Sequence, residues 1–132
     1  MADTKELEKV RAFFIKDRYA ADAGAVIEDF GEHYAKCSMK LDDRHKNAVG
    51  GIMGGAYFTL ADFTFAVATN WNGEAVVSLN ADISFIGTPK TECIIAETEL
   101  IKDGRTVCSY NVKITDELGN PVSAVKFVGF KK

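Results

Sequence analysis

The sequence predicts an α+β fold in which a curved, mostly antiparallel sheet of five to six strands wraps around one central apolar helix. The first observation is that residues 56–70 are apolar around almost the whole helical circumference, and such a helix is normally enclosed by other elements. The second is that four strand-like segments joined by short turns follow it. A sheet and a helix that bury their apolar faces against each other form a stable two-layer arrangement.

Changes in hydrophobic periodicity divide the chain into its elements. An extra N-terminal amphipathic helix, capped by Asp3 or Thr4, is expected to end within residues 19–24. Over residues 25–41 the period becomes two, which predicts one long, half-buried strand with a bulge at Gly31. A polar loop and the glycine-rich segment then open the central helix. Further strands are expected over residues 75–86, 93–101, 106–114 and 122–130, the middle pair joined by an Asp103-Gly104 hairpin turn.

Composition limits the possible functions of the chain. Its 132 residues are enough for one domain, 1–132, and a net charge of −3 argues against nucleic acid as a partner. We expect no membrane segment, because the longest apolar run is shorter than a bilayer requires and contains Asp62. No basic-then-apolar export signal opens the sequence, so a cytoplasmic protein is expected. The scattered Cys37, Cys93 and Cys108 are typical of buried free thiols and not of a metal site.

Asp62 is the most informative residue, since it is a carboxylate in the middle of the apolar helix. Burying an ionised carboxylate without partners is costly, and strongly perturbed carboxylates cluster at active sites. Glycines precede this helix, where backbone N–H groups are free to bind an anion or a developing oxyanion. The combination favours acyl-transfer chemistry. The alternative is that Asp62 satisfies backbone donors at a subunit seam.

Two sequence motifs resemble a known family. They are Asn47-Ala48-Val49-Gly50-Gly51-Ile52-Met53-Gly54-Gly55 and Leu60-Ala61-Asp62. They resemble the hotdog-fold acyl-CoA thioesterases of the phenylacetate-degradation (PaaI-like) group, whose pattern is Asn-x-x-Gly-x-x-His-Gly-Gly with an acid about two turns into the helix. The resemblance extends over residues 25–130, including Val77-Ser78-Leu79-Asn80 and Phe85-Ile86-Gly87-Thr88-Pro89.

One position departs from the family pattern. Met53 stands where the family has histidine, and a thioether cannot donate a hydrogen bond. His45 is close enough in sequence to replace that histidine, although an exposed loop position is the simpler interpretation. His33 is expected at a partly buried strand position.

The resemblance implies hydrolysis of an acyl-CoA substrate without a metal or other cofactor. It implies that the Gly54 N–H polarises the thioester carbonyl and that Asp62 acts as nucleophile or general base. Asn47 would place the thioester or a water, and Ser78 would orient the water or the carboxylate. The candidate substrate-binding residues are Met53, Gly55, Tyr57, Phe58, Phe63 and Phe65. Surface cations available for the CoA phosphates are Lys90, Lys102, Arg105 and the lysines of residues 126–132.

A geometric argument predicts a homodimer. Gly54 and Asp62 are eight positions apart, about 12 Å along a helix, whereas reacting groups must approach within about 3–3.5 Å. If both act, Asp62 must face Gly54 of a second subunit, and the resemblance implies such a dimer, often paired again into a tetramer. Two alternatives stay open: a non-catalytic acyl-CoA-binding protein in which Met53 marks a degraded site, and an acyl-thioester hydratase or dehydratase. The helix has no histidine after Asp62, which disfavours the hydratase.

Overall fold

The computed structural model describes residues 2–132 and consists of helices on one side of a single sheet. The helices are α1 (Thr4–Phe14), α2 (Arg18–Asp22) and the central α3 (Gly54–Asn70), and a short 3-10 turn spans Asp43–His45. The strands are β1 (Ala25–Gly31), β2 (Tyr34–Lys40), β3 (Val76–Phe85), β4 (Cys93–Asp103), β5 (Val107–Asp116) and β6 (Pro121–Lys131). Their order in the sheet is β1-β2-β4-β5-β6-β3, with every neighbouring pair antiparallel. The predicted α+β architecture is confirmed.

The core lies between α3 and the concave face of the sheet. Leu60 and Val67 of α3 and Phe127 of β6 are completely buried. The rings of Phe65 and Phe127 stack with their centroids 4.6 Å apart. Gly129 lets the helix approach this closely, because a Cβ there would come within 2.8 Å of the Phe65 ring. The apolar helix therefore packs tightly on the sheet, as its sequence predicted.

The prediction of one strand over residues 25–41 is wrong, because β1 and β2 form a hairpin. The chain reverses at Glu32 and His33, and His33 takes a left-handed φ of 56°. The sequence did not predict this turn because the alternation of polar and apolar residues is similar on both sides of it, and because it lacks an Asn-Gly or Asp-Gly pair. The expected N-terminal helix is likewise two helices, since α1 ends at Phe14 and α2 follows after a short connection.

Two surfaces remain uncovered in the single chain. One face of α3 is open to solvent at Gly55 and Asp62, so the expectation of a helix enclosed on all sides is wrong for one subunit. Strand β3 is an edge strand that pairs only with β6. Its apolar side chains Val77, Leu79 and Phe85 are exposed.

The cysteines are free thiols in three different strands. All three cysteines are free, with Cys37 and Cys108 buried and Cys93 half-buried within strands. Burial raises the pKa of the Cys37 thiol to about 12, as expected for an inert buried thiol. No helix within residues 2–132 is long and apolar enough to cross a membrane.

Candidate active site

The N-terminus of α3 presents unpaired backbone donors. Gly54 is the first helical residue, and Met53 occupies the N-cap position with its side chain making no capping hydrogen bond within the described chain. The first N–H groups of a helix have no intrahelical acceptor and lie at the positive end of the helix dipole. The N–H groups of Gly54 and Gly55 can therefore bind a carbonyl oxygen or an oxyanion.

The loop before α3 is shaped by Asn47. The Asn47 Oδ1 accepts hydrogen bonds from the N–H groups of Val49 and Gly51, each 3.0 Å long. Gly50 adopts a φ of 91°, which favours glycine. The carbonyl end of the Asn47 side chain is therefore occupied by its own loop. Its amide nitrogen makes no hydrogen bond to any described residue and is the part available to a ligand.

His45 is a structural residue and not a substitute for the missing histidine. It is buried, its Nδ1 accepts from the Asp42 N–H at 3.0 Å, and its Nε2 donates to the Ala23 carbonyl at 2.6 Å. The expectation of an exposed loop histidine is wrong, because the buried ring closes the 3-10 turn through Nδ1 and joins that turn to the end of α2 through Nε2. The His45 carbonyl in turn accepts from the Met53 N–H at 2.8 Å, which fixes the start of α3.

Asp62 lies on the open face of α3 and lines a groove of about 430 Å³ between α3 and the start of α2. The expectation of a buried carboxylate is therefore wrong for a single subunit. The groove walls raise the pKa of the Asp62 carboxyl by desolvation, and the negative charge of Asp17 raises it further. The groove is lined by Asp17, Arg18, Tyr19, Ala20, Phe58, Thr59, Asp62, Phe63 and Ala66.

The predicted substrate-binding residues fall into different environments. Met53 is 57% exposed, and its Cγ and Sδ pass 3.8 Å from where a Cβ would stand on Gly55. Tyr57 is buried, and the centroid of its ring is 6.5 Å from the centroid of the Phe85 ring. Phe58 is half-buried beside Asp62, whereas Phe65 is 2% exposed and belongs to the core.

Ser78 makes no side-chain hydrogen bond to the other candidate site residues of the described chain. It is exposed on the edge strand β3 opposite Gly129, next to a register shift between Ser78 and Asn80. No hydrogen bond of the described residues joins Ser78 to Asp62 or to Asn47. One chain therefore assembles Met53, Gly54 and Gly55 at one place and Asp62 in its groove at another.

Sequence reasoning missed two residues of this region, Phe85 and Asp17. A Cβ placed on Gly54 would come 2.7 Å from the Phe85 Cε1, so the aromatic ring lies directly against the helix start. Phe85 opens the Phe-Ile-Gly-Thr-Pro motif, which was the available signal. Asp17 immediately precedes α2, where an acidic residue is usually explained as a helix cap.

Comparison with known proteins identifies the family. The sequence pattern of the thioesterase superfamily matches residues 49–122, more than half of the chain, including Gly54, Asp62 and Ser78. The chain belongs to the thioesterase superfamily. Over 84 residues it is 31% identical to human acyl-coenzyme A thioesterase 13. The matched segment covers 61% of this chain and 60% of that protein.

Solved structures of this superfamily share the fold. A hypothetical thioesterase protein of Streptococcus pneumoniae TIGR4, solved with coenzyme A, is 25% identical with a TM-score of 0.81, covering 89% of this chain and 96% of that one. The PaaI protein from the phenylacetic acid degradation operon of E. coli is 23% identical with a TM-score of 0.87, covering 97% and 94%. The predicted hotdog fold is confirmed, and thioester hydrolysis is confirmed as the general reaction class.

Proposed function

We propose that this thioesterase-superfamily protein hydrolyses acyl-CoA to the free acid and CoA at two equivalent sites in a homodimer. The observation that carries the proposal is the pairing of uncapped N–H groups at the start of α3 with a carboxylate, Asp62, on the open face of the same helix. Such donors stabilise the oxyanion of an acyl-transfer transition state. The name of the human relative and the CoA in the pneumococcal structure support acyl-CoA as the substrate class.

The proposed reaction needs only water and the thioester. The Gly54 N–H donates a hydrogen bond to the carbonyl oxygen and stabilises the negative charge that develops there. Asp62 either removes a proton from the attacking water or attacks the carbon itself, forming an anhydride that water then opens. The carbon–sulfur bond breaks, the proton taken from water reaches the thiolate, and the products are a carboxylic acid and CoA thiol. Both routes require Asp62 to be ionised.

Two subunits are proposed because one helix cannot place both groups on one carbon atom. The eight-residue separation corresponds to about 12 Å along α3. Asp62 of one subunit would therefore act with Gly54 of the partner subunit, across a two-fold axis that creates two sites. The amide of Asn47 and the hydroxyl of Ser78 would position the thioester or water in the assembled site.

The surfaces left open in one chain support this dimer. Strand β3 has an unpaired edge and exposes Val77, Leu79 and Phe85, while α3 exposes Asp62. An uncovered apolar edge strand is a template for pairing with another chain. Pairing two β3 edges about a two-fold axis would cover these side chains and bring the two α3 helices together. The proposal includes further pairing into a dimer of dimers and a cytoplasmic location.

Binding of the acyl-CoA would use apolar and basic side chains. Phe58 beside Asp62 and Tyr57 near the helix start are the proposed contacts for the acyl group, and Phe65 serves the core instead. Exposed Lys90, Lys102 and Arg105 are available for phosphates. Lys131 is already paired with Asp103 and is a weaker candidate.

The first test is release of free thiol from a panel of acyl-CoAs by the wild-type protein, Asp62→Asn and Asp43→Asn. Asp43 is an exposed carboxylate outside the groove and pairs with Lys46 at 3.0 Å, so it controls for loss of one charge. We expect Asp62→Asn to lose hydrolysis about 10²–10⁴-fold at unchanged oligomeric state, and Asp43→Asn to retain it. Equal turnover by all three proteins would reject the assignment of Asp62.

A complementation experiment tests the shared site. Asp62→Asn and Gly54→Pro are each inactive in the proposal, but a mixed dimer contains one site with both groups intact. Random exchange in an equal mixture makes half of the dimers mixed, so about one quarter of wild-type activity should return. No recovery after verified subunit exchange would show that the two residues serve the same chain's site.

Met53 is the observation that favours the second candidate, a non-catalytic acyl-CoA-binding protein. Its thioether lies beside Gly55 and cannot donate the hydrogen bond that the family histidine supplies. Wild-type protein that binds acyl-CoA in calorimetry without releasing thiol, and gains hydrolysis on Met53→His, would establish this candidate.

A further inference from the structure

One wall of the groove that contains Asp62 is formed by Asp17, at the end of the α1–α2 connection, and by residues 18–20 of α2. The Asp17 N–H donates to the Phe14 carbonyl at 3.0 Å, and the Asp17 carbonyl accepts from the Ala21 N–H at 2.9 Å. Phe14 is buried, and its ring packs edge-on against Phe63 of α3 with centroids 6.1 Å apart. Backbone bonds and this aromatic contact therefore hold the connection beside Asp62.

The side chain of Asp17 has no structural partner in the described chain. It occupies the N-cap position of α2 without accepting a capping hydrogen bond, and no salt bridge of residues 2–132 includes it. Partial burial raises the pKa of the Asp17 carboxyl. The Asp17 side chain lines the groove and is exposed to solvent, so no contact within the described chain accounts for a negative charge at this position.

The other ionisable groups of the groove do not neutralise the charges of Asp17 and Asp62. Arg18 lines the groove but directs its Nη2 to Asp22 Oδ2 at 3.4 Å. From α3 the only ionisable group lining the groove is Asp62, and from α2 the remaining one is the exposed Tyr19 phenol. Asp17 and Asp62 are thus two carboxylates that line one groove without a cationic partner in the described chain, so the charge of each disfavours ionisation of the other.

We propose that Asp17 is a positioning residue of the site, whose carboxylate sets the pH range over which Asp62 is ionised and able to act. The inference rests on the proposed function of Asp62 and deepens it. The negative charge of Asp17 opposes ionisation of Asp62, which makes the Asp62 carboxylate more basic once it forms. A more basic carboxylate is a better proton acceptor and a better nucleophile, at the cost of activity at low pH.

The test measures ionisation of the Asp62 carboxyl in two ways, directly by NMR and through the pH dependence of catalysis. Asp17→Asn keeps the shape and removes the charge, Asp17→Glu keeps the charge, and Asp43→Asn controls for net charge. In the intact dimer, the Asp62 side-chain carboxyl carbon is titrated by NMR with ¹³C-labelled aspartate, assigned by its loss in Asp62→Asn. The acid limb of kcat/KM for acyl-CoA is recorded in parallel.

We expect Asp17→Asn to move both the NMR titration of Asp62 and the acid limb to lower pH, by up to about one unit. The activity at high pH should fall severalfold because Asp62 becomes less basic. Asp17→Glu should stay near wild type, and Asp43→Asn should not shift either curve. These results would distinguish an electrostatic role from a merely structural one.

The two readouts separate the inference from the proposed function. An NMR titration that shifts in a protein without thioesterase activity would support the coupling and reject the function. Hydrolysis with an unshifted titration and an unshifted acid limb in Asp17→Asn would overturn the inference. Because backbone hydrogen bonds hold residue 17 in place, Asp17→Asn should remain folded, and circular dichroism with sizing verifies this.

Discussion

Replacing Gly54 by proline should remove the proposed oxyanion donor while leaving α3 intact. Gly54 is the first helical residue, the position where proline is tolerated because its N–H has no intrahelical acceptor. Proline also requires an extended residue before it, and Met53 already has φ −64° and ψ 134°. The substitution therefore deletes one N–H group without breaking a helical hydrogen bond.

The matched variant is Gly54→Ala, which adds the same Cβ but retains the N–H. In both variants the Cβ would start 2.7 Å and 2.9 Å from the Phe85 Cε1 and Cζ, so the ring must withdraw to about 3.4 Å or more. Phe85 is 60% exposed in the single chain and these atoms are at the end of its side chain, so the ring can move. This steric cost is common to both variants and cancels in the comparison.

The magnitude follows from the loss of one donor at the developing oxyanion. Removing such a hydrogen bond typically lowers kcat about 10²–10³-fold, or about 2.7–4 kcal/mol. We expect this factor between Gly54→Pro and Gly54→Ala, whatever activity Gly54→Ala retains relative to wild type. Thermal stability should be similar in both, since each restricts the unfolded chain relative to glycine.

The assay is steady-state thiol release from the best acyl-CoA, with kcat and KM determined separately and oligomeric state verified by sizing. A loss confined to kcat indicates an interaction made in the transition state. Equal kcat values for folded Gly54→Pro and Gly54→Ala would refute the assignment of the Gly54 N–H and point to the Gly55 N–H or a side chain.

Three further predictions concern stability and assembly. Burial alone would raise the pKa of Asp116, but hydrogen bonds from the N–H groups of Lys90, Leu118 and Asn120 and from the Asn120 side chain lower it to about 2. The stability that Asp116 contributes is therefore complete above its ordinary pKa of 3.8 and is lost as the pH falls towards 2; urea unfolding at each pH should show this decline, and a decline equally steep in Asp116→Ala would contradict it. Phe127→Ala should lower the free energy of unfolding by about 3–5 kcal/mol because the side chain is fully buried, whereas the 91% exposed Val49→Ala should change it by less than about 0.5 kcal/mol. Leu79→Glu should reduce the mass measured by light scattering to that of a monomer, because it charges the exposed edge of β3; an unchanged mass would place the interface elsewhere.

Much of the fold was predictable because its signals are local. The apolar stretch of α3, the alternation of β3 to β6 and the Asp103-Gly104 turn each depend on residues close in sequence. The β1–β2 hairpin was missed for the same reason, since Glu32 and His33 carry no strong turn signal. Only cross-strand pairing with residues such as Met39 opposite Ala25 distinguishes two strands from one.

The site was predictable in its parts but not in its arrangement. The sequence located Gly54 and Asp62 and implied their chemistry through the family motif. It did not reveal that Phe85 lies against Gly54, that both His45 nitrogens are engaged, or that Asp17 borders Asp62. The pairs His45–Ala23, Gly54–Phe85 and Asp17–Asp62 are 22, 31 and 45 positions apart, and no periodicity encodes such pairs.

The sequence alone thus determined α3, the strands β3 to β6, the family and the chemical character of the site, because amphipathic patterns and short motifs are contained within one segment. The tertiary structure decided which groups share a surface: it left Asp62 and the β3 edge exposed and set Asp17 in the groove of Asp62. The physical reason is that exposure and electrostatic coupling depend on distances through space, which only packing of the helices on the sheet establishes.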